Sequence, residues 1–268
     1  MAPSDQSSMP FIRNLASSDR KIRTTALDTL RTFLTASTTS RQLTTLDAQK
    51  IWKGLFYSLW MCDRAIPQQK LCAELADLIT TLPDDAVAPW LEAFWMTMSR
   101  EWTSIDVLRM EKFLLLVRRV FGASLSWAKA AATRPGRKTS GKKRKWDAGK
   151  ADGVVELLAA WPLEPTGDLS KVPVGLRFHV LDIWVDELEK LDLLAGDGME
   201  YNEILENVGE MVGAQSKSTC KPVRIRAKES LTDERLPWNG SDEPNQHTGK
   251  SKHNGVSSDN ESWDGVDS

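Results

Sequence analysis

The side chains that could act as a nucleophile, a general base or a metal ligand are few and scattered in this sequence. The three cysteines lack the paired spacing of a zinc site or a disulfide framework, and Cys62 and Cys72 lie in apolar contexts typical of buried free thiols. His247 and His253 fall in a polar tail, and His179 stands alone in an amphipathic stretch, where a structural role is favoured. No phosphate-binding loop, dinucleotide fingerprint, zinc-protease motif or nucleophile elbow is present. The sequence therefore predicts a protein that is not an enzyme and that uses no cofactor and no metal.

Carboxylates are concentrated in one stretch, and they are the remaining candidates for metal chemistry. Residues 182–210 contain ten acidic side chains and one basic side chain, which gives a local charge of −9. Helical spacing places Asp182, Asp186 and Glu189 on one face, which either holds a divalent cation or forms a solvated acidic surface. The apolar residues between them fit an amphipathic helix, so a solvated surface that attracts a basic partner is favoured. We expect that surface to comprise Asp182, Asp186, Glu187 and Glu189.

A basic stretch is the strongest candidate for direct function. Residues 134–150, "RPGRKTSGKKRKWDAGK", carry eight basic side chains and one acidic one, a local charge of +7, and their Pro and Gly residues oppose a helix. Such a loop fits nuclear import, contact with nucleic-acid phosphates, or both, and the alternative is a solvated loop without a partner. Trp146 either stacks on a base or anchors the following helix. The candidate contact residues are Arg137, Lys138, Lys142, Lys143, Arg144 and Lys145.

Helical patterning must position these charged stretches. From residue 17 to about 121, apolar side chains recur almost without interruption at helical spacing. Thr44 and Asp47 have the spacing of a capping box, and the "TSID" segment at 103–106 predicts another helix start. Gly122 is placed to end the helix that starts at the 103–106 segment. Because the connections are short, sequential helices are expected to be antiparallel neighbours.

The "IWKGLFYSLW" stretch at 51–60 raises the question of what its aromatic rings do. A cofactor box, a base-stacking platform and a helix core would each use such rings, but a stacking platform would interleave them with several cations. The rings fall at helical spacing, which favours packing. Hairpins of roughly 40 residues that cannot bury their own apolar faces predict an all-α fold of stacked antiparallel hairpins, similar to HEAT or armadillo repeats.

The expected domain organisation follows from where this pattern starts and stops. Residues 1–10 are predicted to be a flexible N-terminus, 11–215 a helical-repeat domain that carries the basic loop at 134–150, and 216–268 a mostly disordered polar tail. The start of the chain has no secretory signal pattern, and the longest aliphatic run, "FLLLV", is far too short to cross a bilayer. Free cysteines favour a reducing compartment, either cytoplasm or nucleus.

Three blocks of the sequence resemble the eukaryotic nucleolar family called ribosomal RNA processing protein 1. They are "DAQKIWKGLFYSLWMCDRAIPQQKLCAELADLI", "FWMTMSREWTSIDVLRMEKFLLLVRRV" and "VGLRFHVLDIWVDELEK", and the resemblance extends from about residue 11 to 195. The positions that match the family motifs are expected to be mainly structural. They are Trp52, Lys53, Gly54, Phe56, Tyr57, Trp60, Asp63, Arg100, Trp102, Asp106, Arg109 and Lys112.

The resemblance implies a non-catalytic assembly factor of the nucleolus. Such a protein acts in pre-ribosomal particles, chiefly precursors of the large (60S) subunit, and is required for processing of the rRNA precursor. It would serve as a scaffold for other assembly factors, ribosomal proteins and pre-rRNA, with no membrane and no small-molecule substrate. After about residue 195 this chain departs from relatives that carry long lysine-rich extensions. Any RNA contact is therefore expected from the basic loop at 134–150. The alternatives are a nuclear helical-repeat adaptor without an RNA role and a ribonuclease, for which the sequence offers no convincing site.

Overall fold

The computed structural model describes residues 11–37, 43–129, 147–194 and 203–239. Within these ranges the regular structure consists of α-helices and two short 3-10 turns, and no helix there is both long and apolar enough to span a bilayer. The helices are α1 (Phe11–Leu15), α2 (Arg20–Ser37), α3 (Thr45–Trp60), α4 (Ala65–Asp77), α5 (Asp84–Glu101), α6 (Val107–Ala128), α7 (Ala148–Ala160), α8 (Val174–Glu189), α9 (Glu203–Gln215) and α10 (Lys221–Leu231).

The helices form two rows. In the odd row α1, α3, α5, α7 and α9 each pack on the next, and in the even row α4, α6, α8 and α10 do the same. Helix α2 joins the even row through the 3-10 turn at Leu78–Thr81. This arrangement confirms the predicted all-α stack of helix hairpins, in which each layer is covered by the following one.

The predicted helix starts are present, but one predicted end is wrong. The Thr44 hydroxyl accepts a hydrogen bond from the Asp47 N–H at 3.1 Å, and Asp106 caps α6 in the same way. Helix α6 does not end at Gly122 but continues to Ala128. A Cβ at Gly122 would lie 2.6 Å from Oε2 of Glu187. The glycine therefore marks a close approach of α8 to α6, which the sequence pattern does not distinguish from a helix end.

The C-terminal boundary of the helical domain also differs from the prediction. The polar tail was predicted to begin at 216, but α10 follows, and Leu236 beyond it is completely buried. Trp238 stacks on Trp184 with ring centroids 6.5 Å apart, and Arg235 forms ion pairs with α8. Residues 232–239, here called the C-terminal cap, thus cover the last helix pair. The rest of the predicted tail, 240–268, and the predicted flexible N-terminus, 1–10, lie outside the described residues.

The sequence pattern does not predict α10 and the C-terminal cap because few of their side chains are apolar. Helix α10 buries only Val223 and Ala227, both small, and such a faint stripe is hard to tell from a polar tail. The stabilising contacts of the C-terminal cap come instead from ion pairs, one indole and the single buried Leu236, and helical periodicity does not register these.

Gly209→Ala and Gly213→Ala, both in α9, are a matched pair that tests how the C-terminal cap is seated. A Cβ at Gly209 would lie 2.7 Å from Cη2 of Trp238, whereas a Cβ at Gly213 meets nothing within 4 Å. Alanine is favoured over glycine in a helix by about 1 kcal/mol, so Gly213→Ala should raise the free energy of unfolding by up to that amount. Gly209→Ala should lower it by about 1–2 kcal/mol because Trp238 must shift.

Urea unfolding followed by tryptophan fluorescence measures both changes. Equal stabilisation by the two substitutions would contradict the packing of Trp238 on α9. A Trp238→Ala background should remove the difference between them, since the atom that Gly209→Ala displaces is then absent.

Candidate interaction surfaces

The aromatic motif positions of α3 lie between layers of the stack. The indole N–H of Trp52 donates to the carbonyl of Trp90 at 3.0 Å, and its ring meets Phe94 edge-on at 4.8 Å. Phe56 stacks on Phe113 of α6 at 4.5 Å. These rings are buried, so their contacts join α3 to the next hairpin in both rows. This use of the rings is packing, not a cofactor box or an exposed stacking platform.

Two further motif positions are explained by close approach between elements. A Cβ at Gly54 would lie 3.3 Å from the carbonyl of Ile12, because α1 packs directly on α3. The buried Trp102 lies against Gly175 at the start of α8, where a Cβ would be 2.8 Å from the indole nitrogen. Tyr57 and Trp60 are half-buried, and the motif positions on the surface are Lys53, Asp63 and Arg100.

The charged motif residues of α6 fasten its start to the end of α3. The ammonium of the buried Lys112 donates to the carbonyls of Trp60 and Cys62 at 2.7 and 2.8 Å, which satisfies acceptors left free at a helix C-terminus. Burial lowers the pKa of Lys112. The Arg109 guanidinium lies 5.0 Å over the Trp60 ring and pairs with Asp106. These contacts of Lys112, Arg109 and Asp106 are structural.

An exposed apolar edge lies beside this junction. Val107 and Leu108, in the first turn of α6, are 87% and 93% exposed, and Ile66, in the first turn of α4, is 79% exposed. Lys112 holds the start of α6 beside the connection that leads into α4, and the exposed Met61 lies in that connection. Large apolar side chains that face solvent near one junction are candidates for contact with another protein. We call Met61, Ile66, Val107 and Leu108 the apolar edge.

The acidic face of α8 is not free, which corrects the sequence prediction. Glu187 is buried and accepts a hydrogen bond from Nε of Arg118 at 2.6 Å, while Asp186 accepts from Nη2 of Arg118 and of Arg235 at 2.6 and 3.0 Å. Glu189 pairs with Arg235 at 2.6 Å. Burial alone would raise the pKa of Asp186, but the bonds from Arg235 and Arg118 outweigh it and lower that pKa.

The remaining member of the predicted acidic surface is also paired. Asp182 accepts from Arg226 of α10 at 3.0 Å. Both residues line an open groove of about 350 Å³ between α8 and α10. Among the described residues, no group of three or more His, Cys, Asp and Glu is arranged to hold a metal ion.

The predicted basic loop lies mostly outside the described residues. That applies to Arg137, Lys138, Lys142, Lys143, Arg144 and Lys145. Its predicted last residues, 148–150, belong to the first turn of α7. There the Lys150 ammonium donates to Asp84 at 2.7 Å and lies 4.8 Å from the centroid of the Trp127 ring.

A buried ionic network holds the connection between α7 and α8 in place. Arg177 is 1% exposed and donates to the Glu164 carboxylate at 2.7 Å, to the Glu164 carbonyl at 2.8 Å and to the Asp168 carbonyl at 3.1 Å. Gln215, at the end of α9, donates to the carbonyl of Glu164 at 2.7 Å. Burial would raise the pKa of Glu164, but hydrogen bonds from Thr166 and Arg177 lower it. The network joins the α7–α8 connection to the end of α9.

His179 and the buried cysteines occupy structural positions. Nε2 of His179 lies 2.7 Å from the carbonyl of Leu114, and burial lowers its pKa. Cys62 and Cys72 are free thiols in the core, and burial raises the pKa of Cys72 to about 12. A thiol with so high a pKa is a poor nucleophile.

A row of cations on α10 was missed by the sequence prediction. Lys217 precedes the helix, and Lys221, Arg224 and Lys228 follow within it at spacings of four, three and four residues. We call these four residues the basic stripe. The signal that could have revealed it is the pairing of this spacing with Val223 and Ala227, which lie on a different side of the helix from Lys221 and Lys228.

Taken together, the fold and these surfaces define a helical-repeat protein of the kind that presents extended surfaces to partners. A family model described as "Nucleolar protein, Nop52" matches residues 6–266. The chain belongs to this family, which confirms the resemblance seen in the sequence.

Similar proteins carry the name that the sequence resemblance suggested. The chain is 32% identical over 208 residues to human "Ribosomal RNA processing protein 1 homolog B", covering 75% of this chain and 25% of that protein. It is 33% identical over 195 residues to mouse "Ribosomal RNA processing protein 1 homolog A", covering 70% of this chain and 36% of that protein. The chain thus spans about a quarter of the first relative's length and a little over a third of the second's.

Arg177→Met is expected to lower the free energy of unfolding by about 3–5 kcal/mol, because it leaves the Glu164 carboxylate buried without its cation. Arg100→Met is the matched control: Arg100 is exposed and bonds only its neighbour Glu101, so a change within about 0.5 kcal/mol is expected. Urea unfolding at neutral pH measures both variants, and equal effects would contradict the buried network.

The same network predicts a pH dependence. Because the folded-state pKa of Glu164 is lower than its ordinary value of 4.5, its ionised form stabilises the fold above that pH. This stabilisation is lost as the pH falls through the folded-state pKa. The stability difference between the wild type and Glu164→Gln should therefore shrink below about pH 4.5. A difference that stays constant down to the acid transition would show that Glu164 is not the titrating group.

Proposed function

We propose that this protein is a non-catalytic scaffold in pre-ribosomal particles of the nucleolus, chiefly in precursors of the large ribosomal subunit, where it is needed for processing of the rRNA precursor. The observation that carries the proposal is the family match over nearly the whole chain, together with relatives named for ribosomal RNA processing. The stacked helical fold supports it, because such repeats commonly present extended surfaces to several partners.

The expected protein partners are other assembly factors and ribosomal proteins, and the apolar edge is the surface proposed to meet them. Ile66, Val107 and Leu108 are at least 79% exposed, and covering them by a partner would be favourable by about 25 cal/mol per Å² of apolar area. The buried rings of α3 and α5 pack in the core, so only side chains on the exterior can contact a partner.

Pre-rRNA is the proposed nucleic-acid partner, with the basic segment at 134–150 as one contact. Its local charge of +7 suits either phosphate contact or an import receptor. A nuclear adaptor that bridges proteins without RNA is the alternative, and its partners would remain bound after RNA is removed.

Sedimentation of cell extracts tests the scaffold role. The protein should migrate with large-subunit precursors, and Val107→Ser combined with Leu108→Ser should shift a large part of it to the free fraction, because the apolar edge loses its contact. The control is Leu46→Ser, which alters a residue 59% exposed in the first turn of α3, far along that helix from the apolar edge.

Three outcomes would contradict this proposal. Migration of the wild type only as free protein at low salt would exclude the scaffold role. Equal effects of the variant and the control would exclude the apolar edge. Partners that survive ribonuclease treatment and include no ribosomal protein would favour the nuclear adaptor.

Replacing Lys142, Lys143, Arg144 and Lys145 with Ala tests the basic segment. We expect weaker nuclear accumulation, weaker RNA binding, or both, because the positive charge that an import receptor or RNA phosphates would contact is removed. If RNA is contacted, each lost phosphate contact should lower the slope of log affinity against log salt by about 0.7–0.9. Fluorescence microscopy and RNA binding over a salt series measure the two effects separately. Unchanged localisation together with unchanged RNA binding would show that the segment is a solvated loop without a partner.

A further inference from the structure

Helix α10 presents opposite faces to the core and to solvent. Val223 and Ala227 are completely buried against the stack. At 100° per residue, Lys221 and Lys228 lie about 120–140° around the helix from the midpoint of these two residues, and Arg224 lies about 80° from it. Lys221 and Lys228 are exposed, and Arg224 is half-buried. The basic stripe therefore lies on the outer surface of the last helix of the even row.

The lysines of the basic stripe have no carboxylate partner among the described residues. No ion pair within the described ranges involves Lys217, Lys221 or Lys228, whereas Arg226 on the flank of the helix is occupied by Asp182 and Glu229. Glu229 is the nearest acidic residue along the helix, and it lies 3.8 Å from Arg226. The positive charge of the stripe is thus uncompensated within the described structure.

The stripe is also held in place. Nη1 of Arg224 donates to the carbonyls of Ser218 and Thr219 at 2.7 and 2.9 Å, which ties the helix to the turn before it. Gly167 of the α7–α8 connection adopts a φ of +73°, and a Cβ there would lie 3.1 Å from the Ser218 hydroxyl. The Arg177 network fixes that connection, so the basic stripe is presented by backbone that is anchored on both sides.

Charge and spacing together identify the ligand. Within α10, Lys221, Arg224 and Lys228 follow one another at an axial rise of about 4.5–6 Å, so a phosphate backbone that runs along the helix meets several cations in succession. The N-cap residue Cys220 makes no side-chain cap bond, so the positive end of the helix dipole adds to the same field. An acidic protein would need apolar contacts beside the charges, and among the described residues of α10 only Ile225 is a large apolar side chain exposed there.

We propose that the basic stripe is an RNA contact surface that binds the phosphate backbone independently of the basic segment at 134–150. It rests on the proposed role in pre-ribosomal particles for its biological setting. Lysine point charges supply affinity without reading base sequence. The contact would therefore position RNA on the end of the stack and leave sequence selection to other groups.

The test is the triple substitution of Lys217, Lys221 and Lys228 with Ala in the full chain. Its binding to a mixed-sequence single-stranded RNA is measured by fluorescence anisotropy between about 50 and 200 mM salt. Three lost contacts should make the slope of log affinity against log salt shallower by about 2, and the affinity at the lowest salt should fall by about tenfold. The same change should appear when Lys142, Lys143, Arg144 and Lys145 are already replaced with Ala.

The matched control removes the same charge elsewhere. Arg20, Lys21 and Lys70 are exposed residues of α2 and α4, and their replacement with Ala should leave the slope within about 0.5 of the wild type. An equal loss in the control would show a general charge effect and overturn the assignment. Urea unfolding of the triple variant should match the wild type, because all three side chains are exposed.

Further outcomes separate this inference from the proposed function. An unchanged slope in the triple variant overturns the inference, even if the wild type still sediments with large-subunit precursors. Loss of acidic protein partners from the triple variant in ribonuclease-treated extracts, with RNA affinity unchanged, overturns it in favour of a protein ligand. A shallower slope in a protein that does not sediment with precursors would support the RNA surface and remove the proposed function.

Discussion

A helix hairpin cannot bury its own apolar face, and this constraint governs the whole molecule. Trp52 of α3 is covered only because Trp90 and Phe94 of α5 lie over it, and Phe56 is covered by Phe113 of α6. Each layer thus covers the apolar face of the preceding layer. The last helix pair has no following layer among the described residues, and there the C-terminal cap takes that place with a buried leucine and a stacked indole.

Arginines make most of the long-range ion pairs within the described ranges, although Lys150 also pairs with Asp84. Arg118, Arg177, Arg226 and Arg235 are among them, and their forked guanidinium groups suit carboxylates that must be matched in geometry as well as charge. The lysines of the basic stripe make no such pairs within the described ranges. A hydrated ammonium group on a flexible stem is suited to a mobile, phosphate-rich partner, and its loss should cost the fold little.

The sequence predicts what periodicity and capping encode. Helix spacing and the side chains of Thr44 and Asp106 specify the stack and its starts, since these depend on neighbours within one helix. Contacts between distant residues are not encoded in that way. The sequence predicts a helix end at Gly122 because the residue it approaches, Glu187, is on another helix. It predicts a solvated acidic face on α8 because the arginines that neutralise that face come from α6, from α10 and from the C-terminal cap.

The two proposed surfaces are separated along the stack, and α8 lies between them. The apolar edge belongs to α4 and α6, whereas the basic stripe is carried by α10, so a protein and an RNA strand would bind without competing for the same residues. One route between the two sites passes through α8, because α6 packs on α8 and α8 packs on α10. Asp186 is the shared group on that route, because it accepts hydrogen bonds from Arg118 of α6 and from Arg235 after α10. A carboxylate that the sequence assigned to an external partner thus joins the two halves of the even row.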